Sequence, residues 1–450
     1  MLRSLLVVIC LFVAMSLPAQ TIVQRDTAIA ALVQEVNADS LRSYIDALVR
    51  FGTRNTLSTQ TDKSRGIGAA RQWVLKKFNE FAKYSNGRMT AIIDTTTVTA
   101  DGRRVDAPIV LGNVMATLKG SDASDKRIFV IGGHLDSRRT DVMDRTGDAP
   151  GANDDGSGVA ALIECARVMS RQSYPATIIF VAFSGEEQGL LGAHLMARKA
   201  KEQDQLIVAV LNNDMVGSNN SNETNIINNT QVRVFSEGIP MYETEKQIKK
   251  IMSLGLENDS KSRQLARYVK ETGERYVDNL EVKLVYRTDR FLRGGDHLPF
   301  LQNGYTAVRI TEMNENYHHQ HQDIRTENGI EYGDLARFMD FEYLRKNTAL
   351  NLSVLANLAK APAVPADVKI QVTTLTNYST ITWAPPEYGT AKGYYVLIRE
   401  TASPLWQKKI LTTNQKITLP YSKDNYLFAV QSVSQNGNES LAVMPSVGRD

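Results

Sequence analysis

The sequence predicts an α/β domain, a mixed and mainly parallel sheet flanked by helices, followed by an all-β sandwich. Three observations carry this. Short apolar runs alternate with helical patterns between residues 127 and 214, the texture of parallel strands joined by crossover helices. Beyond Ala361-Pro362-Ala363-Val364-Pro365 the apolar period changes from helical to alternating. Several apolar runs end at acidic or histidine-bearing stations, and parallel strands bring such ends to one sheet edge, where open α/β sheets place ligands.

The elements follow in order. Met1 to Ala19 reads as a secretory signal: Arg3 gives the charged start, Leu5 to Leu17 the apolar stretch, and Pro18-Ala19 a small-residue exit. The apolar stretch is short for a membrane span. Residues 28–49 and 66–81 carry apolar positions at helical spacing. Thr90 to Val98 alternates and is rich in β-branched residues, and Asn113 to Leu118 reads as a second strand. Strands then run into His134 and, after a helix at about 157–170, into Glu186. A helix over 190–201 leads to the strand into Asp214. Asn219 to Thr230 is a polar loop. Tyr242 to Leu254 and Ser262 to Thr272 read as helices, and Glu281 to Tyr286 and Thr306 to Ile310 as strands. An amphipathic helix over Glu331 to Leu358 closes the domain. The expected units are a signal over 1–19, an α/β domain over 27–360, and a β-sandwich over 362–450. The last resembles a fibronectin type III domain, with Trp383 on an early strand and Tyr426-Leu427-Phe428 on a late one.

Composition narrows the function classes. Over 450 residues, 42% hydrophobic and 22% charged content is ordinary for globular protein. A formal charge of +3 without a basic tract argues against a nucleic-acid partner. Once a signal is removed, Cys165 is the single cysteine, so no intramolecular disulfide is expected and the core must suffice. The expected location is outside the cytoplasm: periplasmic, cell-surface or secreted.

The stations carry the chemistry. They are Gly133-His134-Leu135-Asp136-Ser137, Asn153-Asp154-Asp155, Gly185-Glu186-Glu187, Asn213-Asp214-Met215 and Tyr317-His318-His319-Gln320-His321-Gln322-Asp323. The chain has six histidines, and His134, His318, His319 and His321 fall in two of these groups. Imidazoles and carboxylates converging on one edge suit a borderline divalent metal. Each group alone has an ordinary explanation, a turn or a helix start; their joint order after strands does not.

The stretch from Asp39 to Leu358 resembles a metallopeptidase of family M28, the zinc aminopeptidase type. The matching motifs are His134-Leu135-Asp136, Gly151-Ala152-Asn153-Asp154-Asp155-Gly156-Ser157-Gly158, Gly185-Glu186-Glu187, Asn213-Asp214-Met215-Val216-Gly217, Asp296-His297 and His319-Gln320-His321-Gln322-Asp323. The resemblance implies two zinc ions bridged by Asp154, one held also by His134 and Asp214, the other by Glu187 and His319. Glu186 matches the general base, and Asp136 the carboxylate that orients His134. His319 fits the last ligand because it lies four residues before Asp323; His318 and His321 remain rivals. A tyrosine directly precedes that ligand in some relatives, whereas here His318 stands there and Tyr317 is one further back, so the residue that polarises the carbonyl stays open. Arg293, Asp296 and His318 are candidate substrate contacts. The resemblance also implies a cis peptide between Asp154 and Asp155. The substrate implied is a peptide or protein. Two other readings compete: a single-zinc enzyme like the glutaminyl cyclases, and an inactive peptidase-fold binding protein. The C-terminal unit, taken alone, reads as a spacer or as a binding module for a cell-envelope or surface partner.

Overall fold

The chain places its β-branched runs at the centre of one eight-stranded sheet. The structure, a computed structural model, describes Val23 and residues 25–448. The expected signal, 1–19, lies outside them, and no described helix is long and apolar enough to cross a membrane.

Helices α1 (Thr27–Gln34), α2 (Ala38–Val49) and α3 (Gly66–Ala82) lead the chain. The helical pattern over 28–49 is broken where Asn37 caps α2, its side chain accepting from Ser40 N. The hairpin β1 (Met89–Val98) and β2 (Ile109–Leu118) follows. Next come β3 (Arg127–His134), α4 (Gly156–Met169), β4 (Thr177–Phe183), α5 (Leu191–Glu202) and β5 (Leu206–Asn213). Then come β6 (Gln231–Ser236), α6 (Glu245–Ser253), α7 (Lys261–Tyr276), β7 (Glu281–Val285), α8 (Leu298–Gln302) and β8 (Ala307–Glu312). A small hairpin of β9 (Arg325–Glu327) and β10 (Ile330–Tyr332) precedes α9 (Phe341–Lys360). The helix expected from Glu331 therefore starts ten residues later. Gly333, at φ 112°, follows β10, and Asp340 caps α9 by accepting from Tyr343 N.

The strand order is β1-β2-β4-β3-β5-β8-β6-β7. The central strands β4, β3, β5 and β8 are mutually parallel, so their carboxyl ends share one edge. The hairpin on one side and β6 on the other join them antiparallel. Helices cover both faces. Apolar residues of α4, α7 and α9 pack on one, including Leu162, Val269 and Leu355. Those of α5 and α8 pack on the other, including Met196 and Phe300. Cys165 is buried within α4, a small apolar residue in the core.

Past residues 361–365 the chain forms two separate all-β sheets. Strands β11 (Ala366–Gln371), β12 (Ser379–Ala384), β13 (Gly393–Glu400), β14 (Lys408–Thr412), β15 (Lys416–Leu419), β16 (Tyr426–Val433) and β17 (Ser446–Gly448) make sheets ordered β15-β12-β11-β17 and β14-β13-β16. Ile381 and Trp383 of one sheet meet Val396, Phe428 and Val430 of the other in a common core. This unit is seamed to α7 by buried polar contacts. Asp259 pairs with Arg267 at 3.2 Å and with Arg399 at 2.5 Å, Arg275 pairs with Glu439, and Tyr268 Oη donates to Glu439 O at 2.8 Å.

Candidate metal centre

His134 ends β3, the Glu186-Glu187 pair follows β4, and Asp214 follows β5. Asp154 enters from the loop before α4. Two buried carboxylates organise these loops. Asp136 accepts the backbone N–H groups of Gly185, Glu186 and Glu187 at 2.8, 3.2 and 3.1 Å. Asp155 accepts those of His134, Gly158 and Met215 at 2.9, 2.9 and 3.2 Å. The peptide joining Asp154 and Asp155 is cis. Asp334 accepts from Asn153 N at 2.9 Å and Asp154 N at 2.7 Å. Beneath the loop, the fully buried Arg54 donates to the carbonyls of Leu48, Leu135, Pro150 and Gly151.

The donor atoms form two groups that share Asp154. His134 Nε2 lies 3.0 Å from Asp154 Oδ1 and 4.0 Å from Asp214 Oδ1. His321 Nε2 lies 2.9 Å from Asp154 Oδ2 and 2.9 Å from Glu187 Oε1. Within each group the donors lie within 4.8 Å of one another. The chemistry of the set demands a cation. His134 Nδ1 sits 2.9 Å from Asp136 O, a contact in which only the nitrogen can donate. With that proton on Nδ1, neutral imidazole presents a lone pair at Nε2, directly against two carboxylates. At His321, one nitrogen facing two carboxylate oxygens has one proton at most, and Glu187 Oε1 is buried without a hydrogen-bond donor. Burial disfavours charge on either ring, yet the surrounding carboxylates outweigh it and raise both, His321 to about 10. A divalent ion between these atoms meets the same demand, and the residues fit one.

The structure also reassigns several expected roles. His319 is not in the donor set; His321 is. His319 stacks on Phe338 with ring centroids 3.7 Å apart, and burial lowers its basicity to about 4. The count of four residues to Asp323 fails because the chain turns between them, with His321 at φ 55°, and Asp323 instead accepts from Arg139 and Thr140. His318 lies against Tyr332 at 5.0 Å and is not among the residues lining the cleft, whereas Tyr317 is. Asp136 holds His134 through its backbone oxygen; its carboxylate, 3.8 Å from Nδ1, is occupied with the Gly185–Glu187 amides. Asp296 is buried with both oxygens unpartnered and is not among the residues lining the cleft, and burial pushes its carboxyl up to about 8. Arg293 does line the cleft. Arg54, Asp155, Asp334 and Gln320 escaped the sequence reading as site residues. Gln320 Nε2 donates to Asp154 Oδ2 at 3.2 Å. Its place between two histidines was the only signal it offered.

The site is a candidate divalent-metal centre, and comparison with known proteins gives its class, a zinc metallopeptidase. The sequence profile of peptidase family M28 matches residues 113–341. A probable zinc metalloprotease of Leptosphaeria maculans is 43% identical over 421 residues, covering 93% of this chain and 97% of that protein. Another, of Pyricularia oryzae, is 43% identical over 430 residues, covering 94% and 85%. The chain belongs to peptidase family M28. Among solved structures, the LapA aminopeptidase of Legionella pneumophila superposes with a TM-score of 0.53 at 19% identity, over 76% of this chain and 78% of that one. The aminopeptidase from Aneurinibacillus sp. strain AM-1 gives 0.51 at 15% identity, over 75% and 96%. At these identities the likeness is one of fold.

Proposed function

We propose that the chain is an aminopeptidase working with two zinc ions that share Asp154. The observation that carries this reading is the reach of one carboxylate to both donor groups, with Oδ1 toward His134 and Oδ2 toward His321. Zinc, when bound, acidifies water and polarises a carbonyl. The remaining work falls to the chain. Glu186 lines the cleft but belongs to neither donor group. Burial, aided by Glu187, Asp214 and Asp296 against the opposing pull of His134, pushes its carboxyl well above the usual range. A carboxylate so raised takes the proton of the attacking water and returns it to the leaving amine. Tyr317 is the candidate to polarise the carbonyl oxygen. A free α-ammonium finds carboxylates, Glu186 and Asp214, on the floor of the cleft.

The same reading places the protein outside the cytoplasm, on the strength of the sequence of residues 1–19. It also takes the C-terminal unit as a fibronectin type III-like sandwich that braces α7. Hydrolysis of paired free and N-acetylated peptides, with zinc per chain measured on the same sample, tests it. Preference for free N-termini at two zinc ions per chain is expected. Cleavage of blocked peptides alone, or full activity at one ion, overturns it.

A further inference from the structure

The cleft above the metal centre, about 770 Å³, is acidic on its floor and cationic on its walls. Arg104 and Arg138 line it beside Glu187, and Arg290 and Arg293 beside Asp214 and Gln320. The second wall holds more positive charge than its own carboxylates balance. Arg233, Arg290 and Arg293 all converge on Glu315, at 2.8, 3.2 and 3.2 Å. Arg309 and Arg290 share Asp289, at 3.3 and 3.4 Å. Asp214 pairs with Arg309 at 2.9 Å and stands 4.0 Å from Arg290, and it also belongs to a donor group whose charge a bound metal would offset. Four guanidinium groups thus meet three carboxylates, Glu315, Asp289 and Asp214; Arg290 and Arg293 line the cleft, and Arg233 and Arg309 are not among its lining residues.

Arg293 is the member of that wall with donors to spare. Only its Nη1 has partners among the described residues, Glu315 Oε2 at 3.2 Å and Gln320 Oε1 at 3.3 Å. Its side chain is 33% exposed, against 8% for Arg290. A planar fork with free N–H groups matches a carboxylate. Its position sets the reach. Gln320 bridges Arg293 to Asp154, with 3.3 Å on one side and 3.2 Å on the other, so Arg293 Nη1 lies no more than about 9 Å from the shared carboxylate. An extended chain advances about 3.3–3.6 Å per residue, so that distance is one or two residues beyond the scissile bond.

We propose that this cleft selects peptides carrying a carboxylate within two residues C-terminal to the scissile bond, and that Arg293 is the specificity-determining residue that receives it. The carboxylate is an acidic side chain at the position after the bond, or the free C-terminus of a di- or tripeptide. The inference rests on the aminopeptidase reading for the direction in which the peptide lies.

The test compares zinc-loaded full-length protein with its R293Q and R293K variants on two substrate pairs. Leu-Glu amide against Leu-Gln amide reads a side-chain carboxylate, and Leu-Ala against Leu-Ala amide reads a terminal one. At least one pair is expected to favour the carboxylate by about tenfold or more in kcat/KM, chiefly through KM, the scale of one charge-assisted hydrogen bond. Added salt shrinks the preference. R293Q brings the ratio close to one, and R293K restores part of it. A merely structural role for Arg293 would lower both members of a pair alike and leave the ratio unchanged, and that result overturns the proposal. So do ratios near one in the unmodified protein. Calorimetric binding of the same pairs to the E186A variant and to the E186A/R293Q double variant separates the two readings. A carboxylate preference in binding without hydrolysis of any free peptide by the unmodified protein sinks the aminopeptidase reading alone. Hydrolysis without that preference sinks the specificity proposal alone, and the absence of both sinks both.

Discussion

Replacing His321 with Ala should strip one metal position, whereas replacing His319 should not. His321 Nε2 supplies the only nitrogen in the group it forms with Asp154 and Glu187, at 2.9 Å from each. Removing even an outer partner of a metal ligand typically costs 10- to 100-fold in affinity. Loss of one of three direct donors should reach at least the upper end, about 100-fold or roughly 2.7 kcal/mol. What remains is a pair of carboxylates, with Gln320 the one neutral side-chain donor to Asp154 Oδ2 among the described residues. The His319 ring is stacked on Phe338 at 3.7 Å, so its loss costs about 0.5–1.5 kcal/mol of packing and no metal. Zinc per chain after dialysis against a chelator of known affinity, with thermal melts of the same samples, reads both effects. The His321→Ala protein should lose at least one ion, and the His319→Ala protein should keep its zinc and melt slightly earlier. Full zinc in the first and depleted zinc in the second would refute the assignment.

Three further outcomes follow from the same geometry. Glu186→Ala should lower turnover by about 10²- to 10⁴-fold while zinc content and melting stay unchanged, because Glu186 belongs to neither donor group; steady-state kinetics beside elemental analysis checks this. Asp259→Ala leaves Arg267 and Arg399 buried against each other with no carboxylate between them, and should cost about 3–5 kcal/mol, read by urea denaturation; a change under 1 kcal/mol would show that the seam does not bind the two units together. The third outcome concerns acid. Burial opposes the charge on Glu439, but Arg275 and Lys409 prevail and hold its carboxyl below the usual range. A depressed folded value means stability that is complete above the free glutamate value of about 4.3 and lost as pH falls through the folded one. Melting temperature should therefore drop more steeply below about pH 4.3 in the unmodified protein than in Glu439→Gln, and parallel curves would exclude this pair as the cause.

Much of this molecule was legible before folding. The runs that became β3, β4, β5 and β8 are apolar and β-branched, and each stops at a polar station, so both the sheet and the edge bearing His134, Glu186, Glu187 and Asp214 could be read from local pattern. The change of period past Pro365 was equally local. The start of α9 was not, because residues 331–338 carry helical spacing while pairing as β10 and turning separately.

The sequence by itself determined which residue types stand at the ends of which strands, because strand and helix formation depend on neighbours a few positions away. The tertiary structure alone decided which of three nearby histidines meets Glu187, since that depends on a turn at His321 and on a partner more than a hundred residues distant. It alone showed that Asp136 serves the Gly185–Glu187 amides, because that contact exists only when β3 and β4 lie side by side. Arg54 under the Asp154 loop, and the arginine wall fed from β6, β8 and the β7–α8 connection, belong to the same class. Charges separated along the chain acquire meaning when topology sets them within a few ångströms, where a dry surrounding makes each unpaired one costly.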